Sequence, residues 1–520
     1  MLNKLLASKR LFSVYVPVLI AAVYLGFAVA SVHYDDVTFD ESPHLRYGIQ
    51  VIKGKTDRNI AGEERFGSTM PVTALNAIPR GVEQVLKPGI KKTDWGTEDI
   101  KNGRYITIFF SLILLLYCFR FAASVTTDIT ACIILLLIAC DPNILAHSRL
   151  VTTDIYGTIA FMATIYHLWK WLANNESRHF YYYCVAIAIA QCCKPNNILL
   201  YPICFLPVII YYFQKRPSLR SIAVKMLAFT AIQIIIINVF FLFSGPWGAS
   251  LNELSLKSDF FRNLRTIWIS KIPLPFPGPY IDTFDLVQYE RETFKGTALN
   301  YLLGELRYKK GFWNYYLVCY ALKTPIVSVV LVLMGFVCCC FAKTFRKTAF
   351  IFGYWPCIFL LIFLSSSSIQ NGYRYLLPVN CLLLIFSGFL IQYLVKRNTA
   401  LSVLFFSVIS IFTAVTAFPN YLSYTNLLVG DKKKAYLFLA DSNINWGQRQ
   451  VFLQKFMLQH PGYIYEPPAP VTGMIVVDVN NLAGIQQPSK FKWLRDNYTP
   501  AATIEDCYLL YDIRQLPVTH

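Results

Sequence analysis

The sequence predicts an α-helical polytopic membrane protein, and three observations predict it. Of its 520 residues 55% are apolar and only 15% charged, which leaves too little polar surface to cover a soluble body of that length. The apolar residues fall in runs of membrane-spanning length. Residues 11–30, the first of these, carry no charge and are long enough to cross ~30 Å of hydrocarbon. Lys and Arg gather in short clusters between the runs instead of along one polar face, so the net charge of +18 marks topology and lipid headgroups, not nucleic acid.

Taken in order, Lys4, Lys9 and Arg10 precede a first run that is too long for a signal peptide and lacks a small-residue cleavage site; it reads as an uncleaved anchor. Further apolar segments follow at 105–121, 126–140, 155–172, 180–194, 196–213, 226–243, 317–341, 349–366, 376–395 and 400–417, about eleven spans in all. The basic clusters Lys4/Lys9/Arg10, Lys215/Arg216/Arg220/Lys225, Lys343/Arg346/Lys347 and Lys396/Arg397 share one side if the N-terminus is cytoplasmic, and an odd number of spans then exports the C-terminus. Three long polar segments, 31–104, 244–316 and 418–520, land on the opposite side, too long to be simple connectors. The chain thus divides into a transmembrane domain, 1–417, and an exported C-terminal domain, 418–520.

The first polar segment, with Pro71, Pro79 and Pro88 among short amphipathic stretches, fits helices lying along the membrane surface. The second contains Pro273-Leu274-Pro275-Phe276-Pro277-Gly278-Pro279, expected to be a fixed loop because so many prolines exclude a helix. Its run Phe312-Trp313-Asn314-Tyr315-Tyr316 reads either as the lining of a sugar or prenyl groove or, more plainly, as an interfacial aromatic belt. In the tail, Gly473–Val479 and Cys507–Ile513 read as strands on either side of a helical Ser489–Asn497, a small α/β unit. Most of the fourteen cysteines lie inside apolar runs, where they serve as small packing residues.

Chemistry is expected where carboxylates stand just outside the bilayer. Thr38-Phe39-Asp40-Glu41-Ser42-Pro43-His44 follows the first span, and its acidic pair reads either as a general base with an orienting carboxylate or as the start of a helix. Asp154 begins the fourth span on the same side, reading either as a second acid of that site or as a helix cap. Together Asp40 and Asp154 offer oxygen ligands for a divalent cation such as Mg or Mn, or divide base and orienting roles. No organic cofactor is expected, since neither a Gly-rich phosphate loop nor zinc-type Cys/His spacing occurs. Lys194, Lys323 and Arg374 stand at the ends of spans or within them, where a cation needs an anionic partner; a lipid phosphate is one, and snorkelling to headgroups is the plainer reading for Lys194 and Arg374 but less so for Lys323. His147, Arg149 and Glu305 are further pocket candidates.

These residues in this order resemble the GT-C glycosyltransferases, the superfamily of protein O-mannosyltransferases and of the aminoarabinose transferases that modify lipid A. The resemblance rests on Phe39-Asp40-Glu41, on His147-Ser148-Arg149-Leu150-Val151-Thr152-Thr153-Asp154, and on Tyr301-Leu302-Leu303-Gly304-Glu305 with Leu322-Lys323-Thr324-Pro325. It rests also on Gly372-Tyr373-Arg374-Tyr375-Leu376-Leu377-Pro378 and Asp441-Ser442-Asn443-Ile444-Asn445-Trp446-Gly447-Gln448. It covers nearly the whole chain, and the tail looks most like that of uncharacterised bacterial members. The resemblance implies inverting transfer of one sugar from a polyprenyl-phosphate donor to a lipid, glycan or protein acceptor on the exoplasmic face. It makes Asp40 the leading carboxylate, and it favours a bacterial inner membrane. The competing class is a transporter or flippase of lipid-linked sugars, which fits less well because no internal repeat is visible and polarity is concentrated in loops on one face.

Overall fold

The computed structural model describes residues 10–56, 69–87, 96–174, 176–245, 248–293, 299–341 and 346–516. Lys4, Lys9, Pro88 and Lys343, used above for topology and loop character, lie outside them. Every apolar segment read from the sequence is helical. Among the described residues seven helices are long and apolar enough to cross a membrane: Leu11–Val32, Thr97–Val125, Pro195–Lys215, Leu219–Phe240, Arg346–Ser365, Tyr373–Arg397 and Thr399–Ala417. The chain is a multi-pass integral membrane protein. The Asp128–Ala139 helix has 12 residues, reaching only about 18 Å at 1.5 Å per residue, and it is buried from Thr130 through Ala139.

The Leu219–Phe240 helix records what solvates these surfaces. Leu219, Met226, Leu227 and Ile235 are exposed, whereas its buried residues are Gln233, Ile237 and Asn238. Gln233 donates to Cys184 O at 2.9 Å and accepts from Tyr201 Oη at 3.0 Å; Asn238 donates to Pro275 O at 2.9 Å. Apolar side chains facing outward and amides facing inward is the pattern for a hydrocarbon solvent, because only protein can satisfy a polar group there.

The segment read as one span at 317–341 is two helices, Tyr315–Lys323 and Ile326–Phe341, broken at Thr324-Pro325. Proline removes a backbone donor and disfavours helix at the residue before it, so the last carbonyls of the first helix lose their partners. The tail and the 142–147 helix supply them. Asn426 Nδ2 donates to Ala321 O and Thr324 O at 2.6 and 2.7 Å, and Asn426 N donates to Leu322 O at 2.8 Å. Asn143 Nδ2 reaches Lys323 O at 2.8 Å. The break therefore docks the tail onto the helical body.

In the polar segments, the Glu41–Ile52 and Ala74–Leu86 helices pack together, Gly48 standing so close to Thr73 O that a Cβ there would lie at 2.2 Å. The proline-rich loop runs only to Pro277, because the Gly278–Thr293 helix opens at Gly278-Pro279; a first-turn proline costs a helix no hydrogen bond. The aromatic run differs from a belt as well. Phe312, Tyr315 and Tyr316 are buried and only Trp313 faces outward.

In the tail, Tyr463–Tyr465 (β3), Gly473–Asp478 (β4), Ala502–Ile504 (β5) and Tyr508–Ile513 (β6) form a sheet of order β3-β4-β6-β5, apart from the Leu299–Leu302 and Glu305–Tyr308 hairpin (β1 and β2). β3 runs parallel to β4, and β4 antiparallel to β6 with Val476 opposite Leu510. The Lys492–Asn497 helix lies between the strands in sequence, as expected. Cys507 is buried with its Sγ against Ser423 and Gln448, and all fourteen cysteines are free.

Candidate active site

Asp40 closes the loop after the first span and occupies the N-cap position of the Glu41–Ile52 helix, yet its carboxylate makes no capping bond. It accepts instead from Arg374 Nη1 at 2.7 Å, and its side chain stays 31% exposed. Three contacts with the tail set that loop: Phe39 N donates to Trp446 O at 3.1 Å, Asp36 N to Gln448 O at 3.0 Å, and Val451 N to Asp36 Oδ2 at 2.7 Å.

Arg374 sits in a 3₁₀ turn, Tyr373–Leu376, that follows Gly372. Its Nε donates to Asn371 O at 3.0 Å, and its guanidinium lies 4.5 Å from the centroid of Trp446, a stacking that fixes the planar fork. Gly372 has φ +81°, and a Cβ there would lie 2.7 Å from Ser442 Oγ. Glycine is required on both counts.

Asp154, the first residue of the Asp154–Asn174 helix, is 3% exposed and pairs with Lys194 Nζ at 2.5 Å. Thr152 Oγ1 donates to its other oxygen at 3.1 Å. Burial alone would raise the Asp154 carboxyl; Lys194, Arg374 and His147 outweigh it and hold the group well below the usual carboxylate range. Lys194 stands in extended backbone between the Ser177–Cys193 helix and the 3₁₀ turn Pro195–Leu199. Its ammonium lies 4.2 Å from the centroid of Tyr375.

His44 and His147 complete the cluster. Burial lowers His44 despite Asp40 and Asp154 within electrostatic reach. Burial likewise takes His147 down to about 3, Asp154 opposing and Arg374, Lys323 and Lys194 reinforcing. Both rings are neutral at pH 7, and neither Nδ1 has a hydrogen-bond partner among the described residues. Asp40, Asp154, Lys194, Arg374 and His147, all proposed from sequence, thus meet at one end of the bundle.

Four of the sequence candidates sit elsewhere. Glu41, expected beside Asp40 as a catalytic carboxylate, is fully buried and both of its oxygens are engaged. Arg104 donates to them at 2.8 and 2.6 Å, Val151 N at 3.0 Å and Thr38 N at 2.9 Å. Burial pushes this carboxyl up, and Arg104 with the two amides brings it below its ordinary value. Arg149 is buried against Asp35 at 2.5 Å, and Arg449 approaches the other Asp35 oxygen at 3.2 Å. Glu305 lies on the outer hairpin, exposed and paired with Arg307 at 2.7 Å. Lys323 is buried behind the site, and its ammonium donates to Leu422 O at 2.8 Å and to Asn443 O, so it anchors the tail where a phosphate contact was expected.

Sequence reasoning passed over His44 as a site residue, although it follows Asp40 by four residues and so shares its helix face. It also missed Trp446 as the partner of Arg374, for which no local signal exists. A divalent ion on Asp40 and Asp154 does not fit the residues present. Each carboxylate already holds a cationic side chain, and among the described residues no three His, Cys, Asp or Glu side chains are grouped to hold a metal.

The fold and site define a polytopic membrane protein with an acid, base and cation cluster where its helical body meets its tail. Residues 96–241 match the family model of dolichyl-phosphate-mannose-protein mannosyltransferases. That stretch carries His147, Asp154 and Lys194, and over it the GT-C resemblance read from sequence is borne out. Among solved structures, the chain is similar to apo ArnT from Cupriavidus metallidurans at 11% identity and a TM-score of 0.47, covering 95% of this chain and 97% of that one. ArnT from the same organism bound to undecaprenyl phosphate gives 12% identity and 0.45 over the same shares. The apo oligosaccharyltransferase of Archaeoglobus fulgidus gives 11% identity and 0.46, covering 79% of this chain and 55% of that one. No curated protein matches the chain significantly.

Proposed function

We propose that this protein is a membrane glycosyltransferase that moves one sugar, with inversion, from a polyprenyl-phosphate donor to a lipid, glycan or protein acceptor on the exoplasmic face. The observation that carries the reading is the pairing of a partly exposed carboxylate, Asp40, with Arg374 beside a second acid–cation pair, Asp154 and Lys194. The family match supports the same class of reaction.

A lipid phosphate is already a good leaving group, so the chemistry needs a base for the acceptor, cations for the departing phosphate and a site that orients both. Asp40 takes the proton of the acceptor hydroxyl or amine as that atom attacks the anomeric carbon from the face opposite the phosphate. The bond from that carbon to the phosphate oxygen breaks, and the lipid phosphate leaves with the electron pair. Arg374 and Lys194 receive its charge, the first as a planar fork and the second as a point charge. Arg374 and Asp40 are coupled in this scheme: a guanidinium that turns to phosphate releases the carboxylate it was holding. Asp154 keeps Lys194 in place, and neutral His44 and His147 line the site without adding positive charge.

Membranes containing wild-type or Asp40→Asn protein, given a panel of radiolabelled polyprenyl-phosphate sugars, test the reading. Label is expected to move with wild type alone. No label from any donor with intact protein overturns the assignment, and an active Asp40→Asn enzyme overturns the choice of base.

A further inference from the structure

The tail segment 441–448 does more than pack against the site, because it adds a half-buried carboxylate of its own. Asp441 adopts φ +58°, a left-handed backbone unusual for a residue with a side chain. The conformation is held from several directions. Asp441 N donates to Asn480 Oδ1 at 2.6 Å, and its carbonyl accepts from Ile444 N and Asn445 N at 2.9 and 3.0 Å. Asn480 in turn donates to Asn445 O at 2.9 Å, and Asp478, at the end of β4, accepts from Asn480 N and Asn445 Nδ2, both at 2.7 Å. A strained turn fixed by so many bonds is over-determined by its surroundings.

The turn faces the site. Asn443 Oδ1 accepts from Tyr373 N at 3.0 Å, next to Arg374. Ser442 is 8% exposed, its Oγ lies against Gly372, and that oxygen has no hydrogen-bond partner among the described residues. The Asp441 carboxylate is half-buried and within electrostatic reach of Arg374 and Asp40, yet it forms no ion pair among the described residues. The site is therefore polarised, with Lys194 and Arg374 on one part and, on another, an acid that forms no ion pair among the described residues.

We propose that Asp441 forms a subsite for the ring hydroxyls of the sugar that is transferred. The inference rests on the glycosyltransferase reading and names the part of the donor that this turn recognises. A carboxylate repels phosphate and accepts hydrogen bonds from hydroxyls, so the donor lies with its phosphate toward Lys194 and Arg374 and its ring toward Asp441. Asp441 is thus a specificity residue.

The test compares binding of polyprenyl phosphate with binding of polyprenyl-phosphate mannose, glucose and their deoxy forms, using full-length protein in nanodiscs. Asp441→Asn and Asp441→Gly are the informative variants, since Asn and Gly both tolerate positive φ and preserve the turn; unchanged thermal unfolding verifies this. Wild type is expected to bind at least one sugar-bearing lipid about tenfold to a hundredfold more tightly than the bare lipid phosphate. The two variants should reduce that preference to about threefold or less, the loss expected when a charged acceptor is removed, and leave affinity for bare phosphate intact. A preference retained in Asp441→Gly, or none in wild type, overturns the subsite. Turnover separates this from the parent reading. Wild type that prefers the sugar lipid but transfers nothing keeps the subsite and sinks the transferase, whereas transfer with the preference intact in Asp441→Gly does the reverse.

Discussion

Asp40 and Glu41 are neighbours in sequence and opposites in the structure. Asp40 keeps a third of its side chain open and holds one cation, through a single guanidinium nitrogen of Arg374. Glu41 is closed off and ties three segments together: the 35–41 loop, the Thr97–Val125 helix through Arg104, and the stretch before Asp154 through Val151. Arg104 extends the tie by donating to Asp35 O at 2.8 Å and Asp36 O at 2.7 Å. A partly exposed acid with only one oxygen engaged is suited to react. One whose oxygens are saturated in the interior positions the backbone on which the reactive one stands.

The largest effect that tests this contrast is on turnover. Asp40→Asn should lower transfer by about a thousandfold, within the range for loss of a general base, while thermal unfolding stays close to wild type; a matching loss of stability would make Asp40 another structural acid. Glu41→Ala should act the other way round. It leaves Arg104 buried without its anion, at about 3–5 kcal/mol, measured as a lower unfolding temperature and a poor yield of monodisperse protein. A stable Glu41→Ala protein that fails to transfer would return Glu41 to the chemistry.

Smaller effects sharpen the comparison. Arg374→Ala should raise the donor KM by about tenfold to a hundredfold, as expected for a lost charge-assisted contact, and a normal donor saturation curve would contradict it. The smallest concerns acid. His147 titrates at about 3 in the folded chain against 6.5 for the free group, so between those values the unfolded chain binds a proton that the folded chain refuses. Stability contributed by the neutral ring is complete above pH 6.5 and declines as pH falls toward 3, with His44 acting in the same direction. Unfolding temperature should drop by several degrees between pH 7 and pH 4, and His147→Gln should flatten that drop. A flat wild-type profile would place the ring in water.

Much of the fold was legible because membrane spans and strands are written in local pattern. The apolar runs became helices, and the expected strands at 473–479 and 507–513 appear as Gly473–Asp478 and Tyr508–Ile513. The proline-rich loop was right up to Pro277 and failed only where proline is harmless, in a helix first turn. Site residues were legible as types: acids outside a span, cations at span ends. Their roles were less so. Lys323 reads like Lys194 in sequence, yet carbonyls of the tail receive one and Asp154 the other.

By itself the sequence determined that this chain lives in a bilayer, where its helices run and which residues are chemically unusual for their depth. Those properties sum over neighbours along the chain. Tertiary structure alone decided which acid meets which cation, since Asp40 and Arg374 stand 334 residues apart. It also decided which carboxylate stays partly exposed and that a strained turn in the tail brings Asp441 within electrostatic reach of Asp40 and Arg374. Ion pairing and burial depend on what the folded chain places within a few ångströms, and no local pattern carries that information.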